Sequence, residues 1–301
     1  MRTVEVRVPA TSANLGPGFD ALGLALALFD EVEAAITGEP GVRVSVEGEG
    51  AGEVDLGEGH LVVQTMRKTF DHMRVPQPAG IRLRCRNRIP HARGLGSSSA
   101  AVSAGILAAR ALSDAEMSDD EVFALATEIE GHPDNVAPCL AGGLVIAWSD
   151  HSGAPRMVKL EPDPRIRPVV LVPATRLSTE TARGLLPKDV PHKDASFNAG
   201  RAALLIAALT QRPERELLLA ATEDRLHQAY RAPAMRGSMD LVERLRAVGV
   251  PAVVSGAGPT VLAFSTPDTQ DLIAPEVGKD WHIQQMDVDP VGADVRFPET
   301  R

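Results

Sequence analysis

The chain has 301 residues, of which 44% are hydrophobic and 24% charged, which is enough apolar content for one large core or two moderate ones. The formal net charge of −9 leaves no general attraction for phosphate backbones and argues against nucleic acid as a partner. No apolar run is long enough to cross a bilayer, and residues 1–10 lack the apolar core of a signal peptide. We therefore expect no membrane partner and a cytoplasmic location.

The first ninety residues alternate apolar and polar side chains at three places. The alternation predicts strands at 3–8, 42–46 and 81–87, with a helix at 60–74 between the second and the third. A loop at 90–96 follows and leads into a helix of small residues that ends near residue 112.

Further along the chain, the elements are interleaved. Ser118 and Glu121 form a capping-box pattern that predicts a helix to about residue 130. The remaining predicted strands are 142–148, 168–173, 251–254, 260–265 and 282–288, and the remaining predicted helices are 179–186, 197–211, 214–230 and 238–248. This order is not the strict alternation of a doubly wound sheet, so we predict an α+β fold with two domains, residues 1–160 and 161–301.

The segment Gly94–Ala100 joins a glycine-rich turn to a run of serines. Glycine allows positive φ and close approach to a ligand, and the free N–H groups at a helix start favour an anion. A glycine turn with a serine cap and no ligand is the competing interpretation. The segment is neither a Walker A loop nor a dinucleotide fingerprint.

Four segments, in order, resemble the GHMP kinase superfamily, and two of them sharpen the resemblance to its homoserine kinases. Pro90–Ala100 (PHARGLGSSSA) resembles the phosphate-binding motif of the superfamily. Pro9–Asp20 and Glu130–Pro138 resemble the opening and central motifs of homoserine kinases, and Ser255–Pro259 resembles their late glycine loop. The resemblance covers about residues 3–265.

The resemblance implies a fold and an activity. The fold is a ribosomal-S5-like α/β domain followed by a ferredoxin-like α+β domain. The activity is transfer of the γ-phosphate of ATP, with Mg²⁺, to the hydroxyl of L-homoserine in threonine biosynthesis. The residues implied for nucleotide binding are Pro90, His91, Ala92, Arg93, Gly94, Leu95, Gly96, Ser97, Ser98, Ser99, Ala100 and His60.

Homoserine is a zwitterion, so its site needs an anion for the ammonium group and a cation for the carboxylate. The planar fork of arginine suits a carboxylate. By resemblance, the substrate-binding residues are Asn14, Asp20, His132, Asp134, Arg183, Arg231 and Gly256. Asn135 and Arg183 are implied to act at the reacting hydroxyl, without a dedicated general base.

For Mg²⁺, the resemblance points to Ser98 and to a carboxylate on the helix before His132. Glu128 and Glu130 are both candidates, and we favour Glu128. Side chains two positions apart on a helix point in different directions, so only one of these two carboxylates should face the phosphates. His60 departs from the family, which usually has asparagine there.

Two other functions remain open. One is a GHMP kinase acting on mevalonate or a sugar, against which the pairing of acids with arginines argues, because those substrates lack an ammonium group. The other is a non-catalytic nucleotide-binding regulator, against which the serine run and the acidic Mg²⁺ candidates argue. The sequence decides neither whether the chain forms a homodimer nor whether threonine, which resembles the substrate, inhibits it.

Overall fold

The computed structural model describes residues 2–298. Its strands are β1 (Thr3–Ala13), β2 (Leu22–Thr37), β3 (Gly41–Gly48), β4 (Gly80–Asn87), β5 (Leu144–Ser149), β6 (Pro155–Leu160), β7 (Arg167–Pro173), β8 (Ala252–Val254), β9 (Val261–Ser265), β10 (Trp281–Gln285) and β11 (Asp294–Arg296). Its α-helices are α1 (Leu61–His72), α2 (Ser97–Leu112), α3 (Asp119–Glu130), α4 (Val136–Ala141), α5 (Thr179–Gly184), α6 (His192–Thr210), α7 (Arg215–Ala221), α8 (Gln228–Arg231) and α9 (Arg236–Ala247). The mixed α+β class is confirmed.

The first sheet is built around the long strand β2. Strand β1 pairs with most of its length, β4 pairs with its second half, and β5 pairs with its start. The pairing of β3 with β4 is parallel, while β6 extends the sheet beyond β5. Strand β11 returns from the far end of the chain and pairs with β1.

Helix α2 crosses the face of the first sheet and is buried along most of its length. It packs closely against α1 at Gly105, where a Cβ would lie 2.7 Å from the Cβ of Thr65 and 2.9 Å from the carbonyl oxygen of Val62. The small residues of α2 therefore let two helices and a sheet approach one another, which fixes the position of the N-terminus of α2.

The second sheet has the order β10–β7–β9–β8, and all of its pairings are antiparallel. Helix α9 packs on it through Leu241 and Leu245, which are fully buried. The chain passes from the first sheet to the second between β6 and β7, and the predicted domain boundary at 160 stays a prediction. Among the described residues, no helix has the length and apolarity needed to cross a bilayer.

The predicted helix at 214–230 is wrong as one continuous element. Its place is taken by α7 and the short α8, with a turn between them. Asp224 accounts for the break, because its side chain accepts hydrogen bonds from the backbone N–H groups of Leu226, His227 and Gln228. An aspartate that bonds nearby backbone groups favours a turn over a continuous helix.

Candidate active site

The loop before α2 has three residues with positive φ, namely Ala92, Gly94 and Gly96. Helix α2 begins at Ser97 without a side-chain cap, so its first N–H groups have no intrahelical partner and can bind an anion. The loop is fixed from both sheets. Thr11 of β1 donates its N–H to Leu95, and Ser255 donates its hydroxyl to the carbonyl of Gly94 at 2.6 Å.

A first cavity, of about 370 Å³, opens beside the start of α2. Among its lining residues are His60, His91, Ser97, Ser98 and Ala100 of the predicted nucleotide site, together with the buried Asp30. Burial lowers the pKa of both His60 and His91. The wall is mostly apolar, which suits a planar base.

A second cavity, of about 270 Å³, lies on the other side of the same helix start. It shares Ser97 and Ser98 with the first cavity, so the two adjoin at the helix N-terminus. The predicted residues that line it are Asn14, Ala92, Gly94, Gly96, Ser99, Glu130, His132, Asp134, Asn135, Arg183, Arg231 and Gly256.

Asp20 and Arg183 form a two-pronged ion pair at the edge of the second cavity. Arg183 Nη2 donates to Asp20 Oδ1 at 2.7 Å, and Nη1 donates to Oδ2 at 3.2 Å. Burial lowers the pKa of Arg183, but its hydrogen bonds to Asp20 and the charge of Asp134 outweigh burial and raise that pKa. The pair brings together residues 163 positions apart.

Asp134 is almost fully buried, and its Oδ1 lies 3.0 Å from His132 Nδ1 without hydrogen-bond geometry. Burial lowers the pKa of His132, yet the contact with Asp134 outweighs it and the pKa is raised. Both of these atoms, Asp134 Oδ1 and His132 Nδ1, are buried, and neither has a hydrogen-bond partner among the described residues. Asp134 adds a negative charge to the lining of the second cavity, where it can attract a cation such as an ammonium group.

Arg231 is 1% exposed and lies under the second cavity. Its Nη1 atom lies 3.1 Å from His227 Nδ1 and donates to the carbonyl oxygen of Gly256 at 3.2 Å. The ring of Phe19 lies 5.4 Å from the Arg231 guanidinium and 5.9 Å from that of Arg183, and it stacks on His227. Sequence reasoning missed His227 and Phe19, because neither has a charge that the substrate needs.

Asn135 is oriented by Thr11, whose hydroxyl donates to Asn135 Oδ1 at 2.8 Å. The amide NH₂ group of Asn135 is therefore the end that is left for a ligand, because the oxygen is already engaged. Thr11 is a third residue that sequence reasoning missed. Only its place within the opening motif Pro9–Asp20 could have indicated it.

Ser98 and Glu130 meet at the start of α2, where the serine hydroxyl donates to Glu130 Oε2 at 3.0 Å. Glu128, which we favoured from the sequence, is exposed and lines neither cavity. The geometry of α3 accounts for this, because side chains two positions apart on a helix differ in direction by about 200°. A hydroxyl and a carboxylate are the hard oxygen donors that Mg²⁺ prefers, so Ser98 and Glu130 fit such an ion.

Three residues of the predicted phosphate loop face away from both cavities. The Arg93 side chain donates to the carbonyls of Pro173, Ala174 and His91. Arg93 therefore ties the loop to β7. Leu95 is buried, and Pro90 and Leu95 line a separate surface groove with Arg93.

Both halves of the chain match families of known proteins. Residues 60–143 match GHMP kinases N terminal domain, and residues 205–283 match GHMP kinases C terminal. Fold and site thus define an ATP-dependent small-molecule kinase of the GHMP class.

Among curated proteins, the homoserine kinase of Streptomyces coelicolor is 56% identical over 295 residues, which is 97% of this chain and 94% of that protein. The homoserine kinase of Clavibacter michiganensis is 53% identical, with 98% of this chain and 94% of that protein covered. The crystal structure of homoserine kinase from Cytophaga hutchinsonii matches with a TM-score of 0.85 at 26% identity, covering 98% of each chain. The chain belongs to the homoserine kinase family of the GHMP kinases.

Proposed function

We propose that the chain transfers the γ-phosphate of ATP to the side-chain hydroxyl of L-homoserine, giving O-phospho-L-homoserine. The observation that carries the proposal is the junction of two cavities at Ser97 and Ser98, where α2 begins. A nucleotide in the first cavity and an amino acid in the second would meet at the helix N-terminus, where the phosphates are bound.

The first cavity takes the base and ribose of ATP, near His60 and His91. The phosphates extend along the loop between Gly94 and Ala100 to the unpaired N–H groups of α2. The partial positive charge of a helix N-terminus and the loop N–H groups stabilise the phosphate oxygens.

The second cavity binds homoserine as a zwitterion. Asp134 supplies a negative charge for the ammonium group, and Asn14 lines the same cavity. Asp20, which pairs with the lining residue Arg183, adds a second acid at the edge. Arg183 and Arg231 bind the carboxylate, with Gly256 lining the same wall. A buried arginine fork next to a carboxylate gives orientation as well as affinity, because the guanidinium is planar.

The chain's own residues contribute position and charge to the transfer. Phosphoryl transfer proceeds through a loose transition state that needs alignment and charge neutralisation more than covalent chemistry. Asn135 orients the acceptor hydroxyl through its NH₂ group, and Arg183 lines the same cavity. Ser98 and Glu130 would hold Mg²⁺, which neutralises phosphate charge when bound.

A coupled assay of ADP release tests the substrate assignment. Homoserine should be the preferred acceptor among homoserine, 4-hydroxybutyrate and mevalonate, because only homoserine carries an ammonium group for Asp134. Equal turnover of 4-hydroxybutyrate would overturn the homoserine assignment and favour a hydroxy-acid kinase. ATP binding without ADP release for any acceptor would favour a regulator.

Three further properties belong to the proposal. Threonine is a zwitterion like homoserine, so it should occupy the second cavity and inhibit competitively. A threonine titration at several homoserine concentrations tests this. A homodimer and a cytoplasmic location follow from the family resemblance. Light scattering and cell fractionation test these two.

A further inference from the structure

His227 is a fully buried side chain that joins two parts of the proposed substrate site. Its Nε2 atom lies 2.8 Å from the carbonyl oxygen of Gly16, in the loop that carries Asn14 and Asp20. Its Nδ1 atom lies 3.1 Å from Nη1 of Arg231. One ring therefore contacts both the loop that carries the acids and the arginine proposed for the carboxylate.

The partners of the ring determine where its proton lies. A backbone carbonyl can only accept a hydrogen bond, so Nε2 of His227 must carry a hydrogen toward Gly16. A guanidinium can only donate, so Nδ1 must be unprotonated toward Arg231. The two contacts together require the neutral Nε2–H form of the imidazole.

Asp224 is the carboxylate nearest to this ring, and its geometry does not change that result. Its Oδ2 atom lies 3.7 Å from Nε2, beyond hydrogen-bond distance. Its oxygens are already occupied, since they accept from Asn198 Nδ2 and from three backbone N–H groups. Asp224 thus caps the start of α8 and does not form a catalytic dyad with His227.

The surroundings of the ring also disfavour its protonation. Burial is the largest influence and lowers the pKa of His227, and the charge of Arg231 acts in the same direction. Asp224 and Asp20 oppose this, but the pKa remains below its ordinary value. A neutral acceptor toward Arg231 is consistent with both the charges and the hydrogen-bond partners.

The contacts of Arg231 leave one nitrogen of its guanidinium for a ligand. Nη1 is engaged by His227 and by the carbonyl oxygen of Gly256, while Nε is buried without a partner among the described residues. Nη2 is therefore the donor that a carboxylate in the second cavity would meet. Rotation of the Arg231 guanidinium would break its contact with His227.

We propose that His227 is a positioning residue which, as the neutral Nε2–H tautomer, holds the guanidinium of Arg231 through Nη1 and so leaves Nη2 toward the substrate carboxylate. The inference rests on the proposed function, because it assigns the ligand of Arg231 to an amino acid. It adds a residue that touches neither substrate and a fixed protonation state on which carboxylate binding depends.

Two substitutions of His227 test the roles of its two ring nitrogens separately. His227→Asn places an amide oxygen near the position of Nδ1 and can still accept from Arg231. His227→Gln extends its amide toward the position of Nε2 and keeps the contact with Gly16, but it loses the acceptor for Arg231. Leu209→Ala is the stability control, because Leu209 is a buried core residue of α6 that lines neither cavity.

Steady-state kinetics and thermal unfolding are measured for the three variants and the parent. His227→Gln should raise KM for homoserine about tenfold, the loss expected for one hydrogen bond to a charged group, and change KM for ATP less than twofold. His227→Asn should stay closer to the parent in KM for homoserine. Leu209→Ala should lower Tm and leave both KM values unchanged.

Equal KM for homoserine in His227→Gln and the parent would overturn the proposal, as would equal increases in both His227 variants. Should the variants not fold, ¹⁵N chemical shifts of the parent decide: an unprotonated Nδ1 at neutral pH is expected, and a protonated Nδ1 would overturn the proposal. A parent that does not phosphorylate homoserine would overturn the proposed function instead, so the two failures are distinct.

Discussion

Arg183 donates to both carboxylate oxygens of Asp20, at 2.7 and 3.2 Å. The pair joins α5 to the loop after β1, and its two side chains are 34% and 38% exposed. In the proposed function, the carboxylate and ammonium of homoserine would compete with this pair for its cation and anion. Asp20 would then orient Arg183 before the substrate binds.

Arg183→Lys should raise KM for homoserine by about tenfold or more, because lysine cannot replace the planar two-pronged fork. Arg201→Lys is the matched control, since Arg201 pairs with Glu223 at 2.8 Å and is similarly exposed, at 31%. Steady-state kinetics with homoserine varied should leave the control unchanged. Similar KM increases in both variants would contradict a role at the site.

Gly96→Ala should weaken ATP binding at least tenfold. Its φ of +72° disfavours any side chain, and a Cβ would overlap Thr11 Oγ1 and lie 3.1 Å from Asn135 Oδ1. Gly153 has a similar φ of +83° with nothing near its Cβ position, so Gly153→Ala is a control for backbone strain alone. Calorimetric titration with ATP checks this, and equal affinities in the two variants would refute it.

Glu130→Gln should lower kcat and raise the Mg²⁺ concentration needed for half-maximal turnover, because the carboxylate beside Ser98 loses its charge. Glu128→Gln is the control, two positions away on the same helix and exposed. A Mg²⁺ titration at saturating ATP distinguishes them. If only Glu128→Gln changes the Mg²⁺ requirement, the sequence-based preference was right.

Asp30→Asn should stabilise the protein increasingly as pH rises. Burial raises the pKa of Asp30 from 3.8 to about 6, although hydrogen bonds from two backbone N–H groups lower it. Because the folded-state pKa is the higher one, the stability that protonated Asp30 contributes is complete below pH 3.8 and lost as pH rises through about 6. The full loss is about 3 kcal/mol.

Urea unfolding of the parent and Asp30→Asn between pH 4.5 and 7.5 measures this difference. Asparagine keeps a carbonyl acceptor for the N–H groups of Arg88 and Ile89, which now bond to Asp30 Oδ1. A difference in unfolding free energy that does not vary with pH would show that Asp30 does not titrate in this window.

The sequence predicted best those elements whose signals are local. The capping box at Ser118 forms as predicted, with Glu121 bonded back to it, and the alternating strands β3 and β4 lie where expected. Strand β2 had no such signal. Residues 22–26 at its start are all buried, so apolar residues face both sides and the alternation disappears.

Most residues that line the second cavity were predictable from the sequence, but their arrangement was less so. Motif resemblance indicated Asn14, Asp134 and Arg231, and all three line the second cavity. It could not give the rotation of α3 that brings Glu130 to Ser98, since spacing fixes relative directions only. Nor could it indicate His227, whose contacts with Gly16 and Arg231 depend on tertiary packing.

The last described strand completes the sheet that the first strand begins. Because β11 pairs with β1 through Glu5, Val6 and Arg7, whose partners include Arg296, that edge is covered only after β11 has been synthesised. Until then β1 presents an open edge to other nascent chains, a known risk for aggregation. All strands of the second sheet precede β11 in the chain, so the first sheet is the first to begin and the last to have all its strands synthesised.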